Sequence, residues 1–76
     1  MNSLRRKALE ETRDKLGNIF TDIETLRGGE QKYLDNMPES LAGGEKGLIA
    51  ENAMSNMDDA LNSLEEAINS IDEAMA

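Results

Sequence analysis

The sequence predicts an all-α fold: an antiparallel hairpin of two long helices with coiled-coil-like heptads, expected to pair again into a four-helix bundle or a higher oligomer. Three observations carry this expectation. Residues 53–76 can be written in sevens, with alanine heading each unit at 53, 60, 67 and 74. An earlier stretch repeats apolar residues at intervals of three and four, and Pro38 with Gly43-Gly44 interrupts the chain between the two. The apolar vocabulary is Ala, Leu, Ile and Met, with no Val and only Phe20 and Tyr33 as aromatics. Helices use such residues readily, whereas strands favour β-branched and aromatic ones.

The first helix is expected over about 3–36. Leu9, Thr12, Leu16, Ile19, Ile23 and Leu26 keep a helical spacing, widened by Ala8 and Phe20, and the register continues through Glu30 to Tyr33 and Met37. Gly28-Gly29 would ordinarily read as a helix end. The unchanged register on either side instead predicts one helix with a weak place there, each glycine costing about 1 kcal/mol relative to Ala. Gly17 is a second soft spot.

Pro38 ends this helix, because a residue before proline is pushed out of the helical region. Residues 37–44 form the connection, with room for one helical turn begun at Pro38. The second helix follows over about 45–75, with Gly44 as a modest cap. Both helices come to roughly 45–50 Å, the matched lengths a hairpin needs.

Within the second helix Met54, Leu61, Ile68 and Met75 take heptad position a, and Met57, Leu64 and Ile71 take d, with Ala50 extending d backward. Alanine fills g, Asn and Ser fill b and c, and acids fill e and f. An apolar face three positions wide exceeds the seam of a simple dimeric coiled coil. The oligomer seam is therefore expected at Met54, Met57, Leu61, Leu64, Ile68 and Ile71, with the alanine column admitting a close antiparallel neighbour.

Charge is unevenly placed. The net charge is −8; residues 1–46 hold eight basic and nine acidic side chains, and residues 47–76 hold seven acids and no base. Direct nucleic-acid binding by the second half is disfavoured, since tracking a phosphate backbone needs cations. Arg5, Arg6 and Lys7 at the start and Asp72 and Glu73 at the end each have the wrong sign for their helix dipole. A hairpin is expected to set these two ends side by side and offset both. No apolar run approaches the ~20 residues that span a bilayer, and the basic N-terminus lacks the apolar stretch of a signal peptide. A cytoplasmic protein is expected.

The residue inventory argues against an enzyme and against a cofactor. There is no His and no Cys, and a serine without a base is inert. Neither glycine pair is followed by the Lys-Ser/Thr of a phosphate loop. Three regions are candidates for binding. One is the acidic face Asp58, Asp59, Glu65, Glu66, Asp72 and Glu73, whose plainer reading is a solvated surface. Another is the basic end Arg5, Arg6 and Lys7 with Arg13, whose plainer reading is neutralisation within the hairpin. The third and preferred region is the turn, Gln31, Lys32, Tyr33, Asn36, Met37, Pro38 and Glu39, where an aromatic, amides and charges break the monotony of the repeat.

The stretch Glu30-Gln31-Lys32-Tyr33-Leu34-Asp35-Asn36-Met37-Pro38-Glu39-Ser40-Leu41, followed by the Ala-Leu-Asn-Ser-Leu-Glu-Glu-Ala helix, resembles a group of short acidic helical proteins encoded by bacteriophages and prophages. The likeness covers about residues 20–76, and its specific part is the Glu-Gln-x-Tyr-x-x-Asn-Met-Pro-Glu core. Members of that group usually carry charged residues where this chain has Gly28-Gly29. The resemblance implies a setting, the cytoplasm of a bacterial host, and brings no mechanism. In that setting the expected function is non-enzymatic: a phage-type accessory protein that blocks or sequesters a host immune factor by stoichiometric binding. Three alternatives stand beside it: a structural hairpin docking on a phage or host assembly, an acidic nucleic-acid mimic, and a sponge for a small nucleotide signal. The sponge would use Arg5, Arg6 or Lys32 with Tyr33 in a pocket between subunits.

Overall fold

The chain forms three helices, α1 (Ser3–Asp35), α2 (Glu39–Ala42) and α3 (Glu45–Met75), in a computed structural model that describes residues 1–76. α1 begins at Asn2, whose side-chain oxygen accepts the Arg5 N–H at 2.7 Å and satisfies one of the donors a helix start leaves orphaned. The helix runs unbroken through Gly17, Gly28 and Gly29, as the continuous register predicts. Its end is set by Pro38. The Asn36 and Met37 N–H groups still reach back to the carbonyls of Lys32 and Leu34, at 3.0 and 3.1 Å, but proline has no N–H to continue the series. Pro38 then caps α2, its carbonyl accepting from Leu41 and Ala42 at 2.8 and 2.9 Å. Gly44 starts α3 through its backbone alone, its carbonyl accepting from Leu48 at 3.1 Å.

α1 and α3 pack against each other along a rod 59 × 14 × 12 Å in extent. Of the six residues expected at an oligomer seam, Met54 is buried within the chain and Met57, Leu61, Leu64, Ile68 and Ile71 are half-buried. On α1 the contact face differs from the one the sequence suggests. Leu9, Arg13, Leu16, Phe20, Ile23, Arg27, Glu30, Leu34 and Met37 are covered at steps of three and four, with Gly17, Gly28 and Gln31 beside them. Ala8, Thr12, Ile19, Leu26 and Tyr33, expected inside, are exposed, Leu26 at 66%. The hairpin covers the column of Leu9, Leu16, Ile23 and Met37 and the adjacent column of Arg13, Phe20, Arg27 and Leu34.

Two ion pairs join the helices along this face. Arg13 donates to both carboxylate oxygens of Asp72 at 3.0 and 3.4 Å, and Arg27 does the same to Asp58 at 2.9 and 3.4 Å. The pairs are fourteen residues apart on each helix, two heptads, and they run in opposite directions along the chain. They mark an antiparallel register in which Phe20 lies level with Glu65 and Leu9 level with Ala76. Turning α1 to present Ile19 and Leu26 would withdraw both arginines from their carboxylates.

Two further expectations are corrected by this register. Arg5, Arg6 and Lys7 do not lie beside Asp72 and Glu73. The first two turns of α1 project past the level of Ala76, residues 1–8 are all exposed, and none of the three cations forms an ion pair. The alanine column also lies outside the hairpin contact. Ala53 is half-buried, but Ala60, Ala67 and Ala74 are exposed. On α3 position g flanks d while e flanks a, so the alanines stand on the side away from the Arg–Asp pairs. The column Thr12, Ile19, Leu26 and Tyr33 stands on that same side of α1. Ile19 is level with Ala67, Leu26 with Ala60 and Tyr33 with Ala53, each within one residue's rise of about 1.5 Å.

Full burial is confined to the turn end, at Gly47, Ala50 (1% exposed) and Met54 (7% exposed). α2 folds back onto the first turn of α3 there. A side chain at Gly47 would collide with the Ala42 backbone, standing 2.5 Å from its carbonyl carbon and nearer still to its oxygen. Only glycine lets α2 sit this close.

Candidate binding site at the turn

Over this tightest part of the molecule lies an open hollow of about 370 Å³, lined by Tyr33, Asn36, Met37, Pro38, Leu41 and Lys46. Each wall follows from local structure. Tyr33 comes from the last turn of α1, on the column the hairpin leaves uncovered, and is half exposed. Asn36 is the C-cap residue of α1, and Pro38 turns the chain into α2. Leu41 is carried by α2, whose position depends on Gly47, and Lys46 by the first turn of α3. Chemically the hollow offers an aromatic ring, an amide and an apolar floor of Met37, Pro38 and Leu41. Lys46 adds an ammonium that pairs with no carboxylate, and no carboxylate lines the walls.

Of the seven turn residues the sequence singles out, Tyr33, Asn36, Met37 and Pro38 come together here. Gln31, Lys32 and Glu39 do not line the hollow; Gln31 instead donates to Asp35 across one helical turn at 2.9 Å. Leu41 and Lys46 are additions. Both lie beyond the proline, Leu41 brought in by the fold-back of α2 and Lys46 by the start of α3. The one available signal was that Lys46 is the last basic residue of the chain, alone among acids.

The other two candidate regions fare differently. The acidic face is partly spent internally, since Asp58 and Asp72 hold Arg27 and Arg13, whereas Asp59, Glu65, Glu66 and Glu73 are exposed and unpaired. The hydrogen bond to Asp72 and then its charge raise the Arg13 pKa above its ordinary value, so this guanidinium stays charged. The basic tip is remote from Tyr33 within one chain: Arg5 and Tyr33 are 28 residues apart on one helix, about 42 Å. Arg5 and Arg6 therefore cannot join Tyr33 in a pocket of a single hairpin. No three acidic side chains gather where a cation would be held, and no helix is long and apolar enough to cross a membrane. Set against protein-family models, curated proteins and solved structures, the chain matches none.

Proposed function

We propose that this protein is a non-enzymatic binder that acts stoichiometrically through its turn end. The observation that carries the reading is the hollow itself. An exposed tyrosine, an unpaired lysine and apolar side chains meet beside the most closely packed part of an otherwise thinly packed rod. Such a surface fits a partner segment in which an apolar side chain stands beside a carboxylate. Tyr33, Met37 and Leu41 would receive the apolar group, Lys46 the carboxylate and Asn36 a backbone amide. Aromatic residues in such places supply much contact area at little entropic cost.

In the phage or prophage setting that the resemblance implies, the role proposed for such a binder is counter-defence, the blocking or sequestering of a host factor. The test is capture from infected cells followed by titration of the captured partner against purified protein. Replacing Tyr33 and Asn36 together by Ala should abolish the interaction and leave helical content unchanged. Undiminished affinity in that double variant would remove the turn from consideration.

A second reading uses the same walls: a small nucleotide signal, its base stacked on Tyr33 and its phosphate held by Lys46. Its support is that these two side chains share one hollow. Calorimetry against cyclic nucleotides separates the two, since only the sponge gives heat. The mimic reading has less support, because two of its six acids are engaged within the hairpin. The structural-hairpin reading predicts that the turn tolerates substitution.

A further inference from the structure

The flank of the hairpin opposite its ion pairs has no partner within the chain. We propose that a second copy of this chain covers it, Ile19 and Leu26 of each copy seating over the alanine column of the other. Three observations support that occupant.

The first is area. The chain exposes 5591 Å², whereas a compact monomer of 8.4 kDa exposes about 4,600 Å². The surplus of about 1,000 Å² is spread over the whole rod, and it leaves surface enough for one partner's share of a stable interface, about 800 Å². The second is charge. From Ala53 onward every acid of α3 stands at e or f, and the α3 edge of the flank carries only alanine at g and Asn56, Ser63 and Ser70 at c; on the α1 edge Lys15 and Asp22, of opposite sign, stand one turn from Ile19 and Leu26. Two chains of net charge −8 can meet on this flank with their acidic columns pointing apart. A cationic partner would be drawn to those acidic columns instead. The third is shape. Large side chains line the α1 edge and small ones the α3 edge at matching levels, so the surface is complementary to itself under a two-fold rotation. A closed dimer needs that property. The proposal differs from the seam the heptads suggest.

Sedimentation equilibrium of the intact chain should give twice the 8.4 kDa mass at micromolar concentration, and the thermal midpoint should rise with protein concentration. Leu26→Asp or Ala60→Asp would bury an unpaired charge and should weaken association by at least about a hundredfold. Asn62→Asp, on the other side of α3, should leave association unchanged. A destabilised monomer could mimic the first effect, so a second measurement uses the absence of cysteine. Spin labels on Ala60→Cys should show strong coupling between chains, and labels on Asn62→Cys much weaker coupling. A single-chain mass with a concentration-independent midpoint would overturn the proposal, as would association that survives Leu26→Asp or equal coupling at both label sites.

Discussion

Replacing Gly47 by Ala inverts the usual effect of that substitution. In an open helix interior, Gly→Ala stabilises by about 1 kcal/mol, because the backbone has less freedom to lose. At Gly47 the added methyl meets the main chain of Ala42, with its carbonyl carbon at 2.5 Å and its Cα at 2.9 Å. A backbone cannot swing aside as a flexible side-chain tip can, so α2 must lift as a unit. Overpacking of this kind costs about 1–3 kcal/mol, and the main-chain obstacle puts Gly47 toward the upper end. Offsetting the propensity gain leaves a net loss of about 1–2 kcal/mol. For so small a domain that lowers the melting midpoint by about 4–16 °C, readable by circular dichroism at one fixed protein concentration. Because α2 carries Leu41, the variant should also lose binding at the hollow even below its midpoint. A Gly47→Ala protein that melts higher than the parent would refute the idea that α2 is locked on α3 by the missing side chain.

Two other substitutions probe the rod away from the turn. Gly28→Ala meets nothing within 4 Å, so it should show the ordinary gain of about 0.5–1 kcal/mol and raise the midpoint by roughly 2–8 °C; a loss would mean that α1 bends there. The Arg27–Asp58 pair, with side chains 35% and 48% exposed, should give a coupling of only about 0.5–1 kcal/mol in a double-mutant cycle with alanine, shrinking as salt is added. A coupling that ignores salt would show that the pair is shielded from solvent in solution.

Much of the fold is legible in the sequence because α3 says one thing four times. Its a and d columns are apolar, its e and f columns acidic, and the helix ends are marked by Gly44 and the proline-containing turn. α1 is less legible for a physical reason. Leu9, Leu16 and Ile23 are flanked by Ile19 and Leu26 on one side and by Phe20 and Leu34 on the other, and periodicity cannot rank the two sides. The covered side is the one where Arg13 and Arg27, which look like surface residues, meet Asp72 and Asp58. The offset of the two helices escapes a reading by length alone, since equal helices can still slide. At the site, Tyr33, Asn36, Met37 and Pro38 are visible as a departure from the repeat. Leu41 belongs to it because a missing methyl at Gly47 lets α2 fold down, and Lys46 because α3 starts there.

That glycine has a consequence for alignment. Acids recur on position e of α3 every seven residues, at Glu51, Asp58, Glu65 and Asp72, while the arginines of α1 are fourteen apart. Sliding one helix by a heptad would set Arg13 against Glu65 and Arg27 against Glu51, with apolar columns facing apolar columns again. The rod is thus a scale with evenly spaced graduations and no zero of its own. Its zero is the point where Gly47 passes beneath Ala42. Were the chain cut in the turn, the two halves would share several alignments of similar free energy, each a heptad, about 10 Å, from the next. How far the basic tip of α1 overhangs is therefore decided at the opposite end of the molecule, by a hydrogen where other residues carry a carbon.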